Sequence, residues 1–326
     1  TITLPGGQQP AFALAHHRGS REGAQAGIVK DAGDDPDVTH GALVIASVGP
    51  APAGSGVLFR AGEGVGTVTL PGLPLPVGEP AINPMPREMI RQALTEAQAQ
   101  AGGPHDVTVT VSIPGGEAIA QKTMNPRLGI LGGLSILGTT GIVIPFSCAA
   151  WIHSIHRGID VARAAGLRHV AGATGATSEA AVRALHGLPE QALIDMGDFA
   201  GGMLKYLRAH PVGRVTVAGG FAKMVKLGQG MLDLHSRAGP VDLAWLAQRI
   251  REAGGSEALA QWAPQANTAL EVLRRAQAEG VDLAAVVADH AWRRASRTLD
   301  AEAELEIAIF DREGGLLART PFRKPD

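Results

Sequence analysis

The stretch GLPLPVGEPAINPMPR, residues 72–87, places Glu79, Asn83 and Arg87 on a backbone where six of the sixteen positions from 71 to 86 are proline. Proline fixes φ and removes an amide donor, so the stretch suits neither a helix interior nor a central strand. A rigid loop bearing an acid, an amide and a guanidinium is a natural small-molecule clamp, because little ordering remains to be lost on binding. The plainer alternative is a proline-rich turn whose polar side chains cap neighbouring backbone.

Upstream, the run KDAGDDPDVTHG gathers Asp31, Asp34, Asp35, Asp37 and His40 beside Lys30. Such acid density invites a calcium reading, but the spacing departs from an EF-hand loop and Pro36 interrupts it. No protein-held metal is expected, and Asx-type turns satisfied by backbone amides are the competing account. Crowded carboxylates repel one another, and a cationic partner relieves the repulsion.

The run GGLSILGTTG, residues 132–141, sets Gly132, Gly133, Gly138 and Gly141 around Thr139 and Thr140. Bare backbone and two hydroxyls let a polar ligand approach main-chain amides. Residues 133–140 have the spacing of a phosphate loop, yet Thr139 stands where that loop needs lysine, and the GxGxxG pattern is absent. A nucleoside without phosphates fits that departure; glycines that merely permit close packing are the alternative. Three further runs follow apolar stretches. In GATGATSE, residues 172–179, Thr177 or Ser178 is expected to cap a helix. In DMGD, Asp195 closes a strand and can hold ribose hydroxyls or a cationic group, while Asp198 serves equally as the next N-cap. GGFAKMVK opens a helix whose lysines face carboxylates or solvent. Asp233, His235 and Ser236 have the residue types of a hydrolase triad, but they crowd one short segment and no GxSxG elbow is present.

The first third of the chain alternates short β-prone runs with turns: 1–4, 27–30, 42–47, 66–70 and 106–113. One helix, from about 86 to 100 with Met89, Ile90 and Leu94 on its apolar face, interrupts them and gives an α+β N-terminal domain. From Leu128 the rhythm changes. The apolar runs 128–131, 168–173, 192–196 and 214–218 each lead through a glycine-bearing loop toward a helix-length segment, the pattern of a Rossmann-like α/β domain with a parallel sheet. Helical patterns cover 243–253, 257–278 and 282–297, and 305–310 with 316–319 form a C-terminal β-hairpin. The expected division is 1–126, completed or not by the 300–326 hairpin, and 127–299. Ligands of a parallel sheet sit beyond the carboxyl ends of its strands, which points to the loops after them.

At 326 residues the chain has room for two cores, and a formal charge of −2 offers no field to gather nucleic acid or an anionic membrane. Glycine is abundant, with 43 residues, and aromatics are scarce. No run reaches the ~20 continuous apolar residues that a membrane helix needs. One cysteine, Cys148, forms no internal disulfide, and no secretion signal is visible, so a cytoplasmic location is expected. The chain opens on Thr1 rather than methionine, which leads us to expect a missing leading piece. Partners are then small molecules or a second copy of the chain in a homo-oligomer.

Together, KDAGDDPDVTHGA, GVGTVTLPGLPLPVGEPAINPMPR, TMNPRLGILGGLSILGTTGIVIPFS and LDLHSRAG resemble one family, the cobalt-precorrin-5B C(1)-methyltransferases of the oxygen-independent cobalamin pathway, known as CbiD. The likeness runs in order over residues 29–237 and, more loosely, to the end. It implies S-adenosylmethionine as methyl donor, a cobalt-bearing ring-contracted tetrapyrrole as acceptor, cobalt arriving only inside that substrate, and methylation at carbon 1 to give cobalt-precorrin-6A. It also implies two domains with one α/β half. Members usually begin with a Thr-Thr-Gly-x-Cys segment that has no match here.

Methyl transfer from a sulfonium to a ring carbon needs alignment and a dry site more than a protein nucleophile. The acceptor carries many carboxylates, so Lys30, Arg87 and Arg127, with Asn83 beside them, are the expected substrate contacts. Gly132, Gly133, Gly138, Thr139, Thr140 and Gly141 with Asp195 are the expected donor cradle. Asp34, Asp35 and Glu79 are the candidates for steering the sulfonium or taking up a proton. Two rival functions are a non-catalytic corrinoid-binding protein, which would hold tetrapyrrole without affinity for the donor, and an NAD(P)-dependent enzyme, which the absent GxGxxG disfavours.

Overall fold

A computed structural model describes residues 2–20, 23–138 and 141–325. The chain forms two compact units, Thr1–Cys148 and Ala149–Asp326.

In the first unit, β1 (His16–Ser20), β2 (Gly23–Val29), β3 (Leu43–Pro50), β4 (Val57–Ala61) and β6 (Val107–Ser112) form a sheet of order β1-β2-β3-β6-β4, and β5 (Thr67–Val68) pairs with β7 (Ile130–Leu131). The sequence VTVTVS of β6 buries every valine and turns Thr and Ser away, the two-residue period of a strand with one face on a core. Helix α1 (Pro84–Ala101) lays Ile90 and Leu94 on the cluster of Val107, Val109, Val111 and Ile82, and α2 (Gly116–Ala120) adds Ala120. Pro84 and Pro86 lie in the first turn of α1, where the missing amides have no helical partner to lose. The helix therefore starts inside the proline run, two residues before the expected 86.

The second unit holds a sheet of order β12-β11-β10-β8-β9, built from β8 (His169–Ala173), β9 (Leu193–Asp195), β10 (Arg214–Gly220), β11 (Glu304–Phe310) and β12 (Leu316–Arg319). Strands β9, β8, β10 and β11 are mutually parallel, and β12 returns antiparallel. On one face Val170, Val215, Val217, Leu305, Ile307 and Ile309 meet the large core formed with α3 (Cys148–Ala164), α5 (Ala200–Ala209), α6 (Phe221–Gly228), α7 (Leu243–Glu252), α8 (Glu257–Trp262), α9 (Ala269–Ala278) and α10 (Leu283–Leu299). The other face presents Ala171, Ala173, Ala218 and Ala308 to a single helix, α4 (Ala176–His186). The expected helix over 257–278 is two helices, parted around Pro264 with Thr268 accepting from the Glu271 amide as a new N-cap.

Two expectations need correction. The run 128–131 was expected to open the parallel sheet and the second domain near 127. Instead β7 is a two-residue strand paired antiparallel with β5, and the first unit extends through Cys148. A short apolar run carries no period that distinguishes an edge ribbon from a buried strand. Nor does the hairpin complete the first domain, because β11 runs beside β10 in full register from Arg214↔Glu304 to Gly220↔Phe310. Burial on both faces from Leu305 to Phe310 demands that inner position.

Gly133 explains why the first unit claims this segment. A Cβ there would lie 2.2 Å from the Gly64 carbonyl oxygen and 2.7 Å from the Val65 nitrogen, while the Leu134 amide donates to Gly64 at 2.9 Å. Backbone cannot yield as a side chain tip does. Gly133→Ala should therefore destabilise the first unit by about 1–3 kcal/mol in urea unfolding, whereas Gly138→Ala, with open space at its Cβ, should be close to neutral. Equal stability of the two variants would refute the packing role.

A buried polar chain crosses the α4 face of the second sheet. The Glu306 carboxylate, 2% exposed, accepts from Thr216 Oγ1 at 3.0 Å and pairs with His186 Nε2 at 2.6 Å, and His169 Nε2 meets Thr216 Oγ1 at 2.9 Å. Burial, then the neighbouring His186 and Arg214 charges, hold the His169 pKa down at about 4. The unfolded chain takes up that proton near the ordinary value of 6.5, so its binding favours unfolding between the two values. Stability should be level above about pH 6.5, fall as pH drops toward about 4, and lose nothing further to this group below. Thermal midpoints of the unsubstituted chain and His169→Gln, compared across that window, should show a shallower slope for the variant.

Candidate functional site

The first unit uses most of its expected site residues on itself. Arg87 donates from Nε to the Ile82 carbonyl at 2.8 Å and through Nη2 to Glu79 Oε2 at 2.9 Å and the Pro80 carbonyl at 3.1 Å, with its guanidinium over the Phe59 ring. The guanidinium thus ties the proline loop to the start of α1. Asn83 is the N-cap residue, but its side chain makes no capping bond; its amide donates to the Ile136 carbonyl at 3.0 Å. Lys30 Nζ pairs with Asp37 and Thr39. Burial opposes ionisation of Asp37, and the bonds from Lys30 and Thr39 outweigh it, so its pKa lies below the usual carboxylate value. Asp35 accepts from the Phe146 amide at 3.0 Å, Asp31 from the Gly33 amide at 2.8 Å, and Asp34 is exposed. Arg127 is half-buried in the turn after α2.

The glycine run does not form a strand-to-helix loop of the parallel sheet. Residues 133–136 pair with neighbouring backbone: Gly66 donates to Leu134, Ile136 to Ala81, and Asn125 holds the Gly133 carbonyl and Ser135. Gly132 and Gly141 have φ of 84° and 79°, and Thr139 and Thr140 lie outside the described residues. Asp195 belongs to the second unit, at the end of β9.

At the carboxyl edge of the second sheet the chain reverses direction across the strand order. From β8 it passes through α4 on one face to β9, then through α5 on the other face back past β8 to β10. The exits of β8 and β10 therefore part, which makes this the switch point at which open α/β sheets place a ligand crevice. Its floor is bare backbone. Gly175 and Gly220 are the N-cap residues of α4 and α6, neither helix start has a side-chain cap, and a Cβ at either glycine would meet open space. The expected caps are otherwise engaged or absent, for Ser178 Oγ donates back to the Gly175 carbonyl at 2.9 Å. Gly219 is needed for approach, because a Cβ would lie 2.7 Å from Thr174 Oγ1.

Around the crevice the side chains are locked. Lys223 pairs with Asp198 and donates to the Leu234 carbonyl at 3.2 Å; Lys226, 7% exposed, donates to the Leu234 and His235 carbonyls, each at 3.1 Å. The two lysines are structural clamps on the LDLHSRAG segment rather than solvated charges, and Asp198 is the counter-ion of Lys223 rather than a helix cap. Asp233 accepts from the His235 amide at 2.9 Å, and His235 Nδ1 from the Arg237 amide at 3.1 Å. These are turn contacts with no triad relay. Sequence reasoning missed Trp151, whose indole Nε1 donates to the Asp195 carbonyl at 3.1 Å while the side chain stays 45% exposed. Its spacing of four and eight residues from the core positions Ile155 and Ile159 places it on the buried stripe of that helix, so periodicity alone reads it as core.

Chemically, this edge offers uncapped amides, the Asp195 carboxylate and an aromatic ring, a set suited to a hydroxylated nucleoside. Among the described residues no group of three or more His, Cys, Asp or Glu is arranged to hold a metal ion, and no helix is long and apolar enough to cross a membrane.

Residues 1–145 match the family model described as CbiD, and residues 233–321 the model described as CbiD, C-terminal domain. A protein named cobalt-precorrin-5B C(1)-methyltransferase from Bradyrhizobium sp. is 67% identical over 98% of this chain and 85% of its own length. Proteins of the same name from Methylorubrum extorquens and Brucella abortus are 63% and 59% identical, over 97% and 98% of this chain and 88% and 87% of theirs. A crystal structure described as cobalamin biosynthesis protein (cbiD) from Archaeoglobus fulgidus is 25% identical and covers 73% of this chain and 70% of that one, with a TM-score of 0.32. The chain belongs to the CbiD family.

Proposed function

We propose that this chain catalyses S-adenosylmethionine-dependent methylation of carbon 1 of cobalt-precorrin-5B, giving cobalt-precorrin-6A in anaerobic cobalamin biosynthesis. The observation that carries the reading is 67% identity over 98% of the chain to a relative bearing that enzyme's name. We read the second unit as its Rossmann-like half, and its carboxyl-edge crevice as the donor site. The residues fit such a guest: Gly175 and Gly220 leave room over the helix starts, Asp195 can accept from ribose hydroxyls, and no lysine is needed for phosphates. The donor, when bound, supplies an electrophilic methyl group. The chain's part is to align it with the ring carbon and to exclude water.

The acceptor, which carries cobalt as part of the substrate, is assigned to the first unit, with Lys30, Asn83, Arg87 and Arg127 as candidate contacts. Because the Arg87 side chain is 15% exposed and already paired with Glu79, it reaches a substrate carboxylate only by exchanging one carboxylate for another. That exchange would free Glu79, which with Asp34 and Asp35 is a candidate for taking the proton released when carbon 1 is methylated. A cytoplasmic location and homo-oligomerisation complete the proposal. The rival reading is a corrinoid-binding protein without catalysis.

Calorimetric titration of the full chain with S-adenosylhomocysteine separates these readings. Micromolar binding is expected, weakened about tenfold or more by Asp195→Ala, in keeping with a charged hydrogen bond of ~1.5–3 kcal/mol, and unchanged in Thr139→Val/Thr140→Val. Loss in the threonine variant alone would move the donor to the glycine run. Tetrapyrrole binding without any affinity for S-adenosylhomocysteine would favour the carrier.

A further inference from the structure

Trp151 and Leu316 are the exposed large apolar side chains among the described residues of the second unit. An indole with 45% of its surface in water forgoes a good part of the stabilisation that full burial would bring, so a rigidly mounted tryptophan of this kind calls for an explanation. Trp151 is mounted from two sides. Its Nε1–H donates to the Asp195 carbonyl at 3.1 Å, and its ring lies against Gly197, where a Cβ would come within 3.2 Å of the indole Cζ2. Gly197 also has φ of 51°, so any other residue would meet both backbone strain and the ring. Phe199 stands 6.5 Å away between ring centroids and tilted by 52°, backing the same loop.

The mount sits at the crevice. Asp195 ends β9, the Met196 and Gly197 amides both donate to the Ala173 carbonyl at the end of β8, and Gly175 follows two residues later. The indole, the Asp195 carboxylate and the uncapped start of α4 thus share one edge. Resting on the donor assignment above, we infer that Trp151 is the platform on which the purine base of the donor nucleoside stacks, while Asp195 holds the sugar. The carbonyl of Asp195 fixes the platform, so one residue sets the spacing between base and sugar contacts. Stacking against an indole is tolerant of substituents on the base and needs no hydrogen-bond code.

The test uses the full chain and S-adenosylhomocysteine, read by calorimetry and by tryptophan emission. Ligand should change the emission of the unsubstituted chain and of Trp245→Phe, and the change should vanish in Trp151→Phe, which keeps a ring and should bind within about threefold. Trp151→Ala should bind about tenfold more weakly or worse, within the range for loss of one base–aromatic stack. Dissociation constants and ligand-dependent emission do not move for a merely structural tryptophan, and Trp151→Phe carries the test should the alanine variant fold poorly. Undiminished affinity in Trp151→Ala, or an emission change that survives in Trp151→Phe, would overturn the platform while leaving the donor site standing. Loss of tetrapyrrole binding but not of S-adenosylhomocysteine would turn the indole toward the acceptor and likewise refute it. Absence of binding to the unsubstituted chain would overturn the donor assignment and the platform together.

Discussion

Strands β10 and β11 are buried on both faces, and the rest of the second unit follows from that constraint. A strand with no solvent side must be covered twice, so the connections between parallel neighbours have to run over opposite faces. The side chains divide the labour by size. Valine, leucine and isoleucine point to the many-helix face, and alanines to the face where α4 lies close. With both faces covered, the place where backbone can meet a ligand is the carboxyl edge, where the connections leaving β8 and β10 pass to different faces.

The same constraint explains the one buried carboxylate in that sheet. Glu306 faces α4 at a position where an apolar residue would be expected, and an ionised group at 2% exposure costs several kcal/mol unless it is well bonded. Thr216 and His186 supply those bonds, and His186 lies in the last turn of α4. The pair therefore fixes the helix axially as well as laterally. Apolar packing against alanines alone specifies such a position weakly, because small side chains interlock little.

Where a local period exists, the sequence was legible. VTVTVS announced β6, the apolar triplet of Met89, Ile90 and Leu94 announced α1, and the alternation of apolar runs with glycine loops announced the parallel sheet. What failed had no period to read. β7 is two residues long, and its assignment depends on Gly64, some seventy positions away, meeting Gly133. Site residues were legible by type and not by engagement. Arg87 and Glu79 were read as ligand contacts on a stiff loop, and the sequence cannot say that their side chains face each other. Trp151 went unseen for a related reason, since exposure of an aromatic on a helix is decided by neighbours from other elements.

The charges of the LDLHSRAG segment show how far local motifs mislead without that information. Its acid, histidine and serine have the residue types of a relay but crowd one short segment, and the histidine Nδ1 accepts a backbone amide two residues on, so the ring is held in a turn and Nδ1 takes no part in a relay. The two lysines that read as surface charges reach the same segment from α6 and hold its carbonyls, one of them at 7% exposure. An ammonium buried among carbonyls stays favourable only while all of them remain in place, so the segment is pinned as a unit. All of it but Leu232 lies in the region matched to the family's C-terminal domain, and its Leu232 and Leu234 bond to the loop and helix that follow β9. The chain leaving β9 is thereby held at two places, by the indole of Trp151 at the Asp195 carbonyl and by this clamped segment at Asp198 and Gly201. Bracing of this kind holds a strand-end side chain in one orientation, and at any binding site small displacements of a group cost more than a missing hydrogen bond.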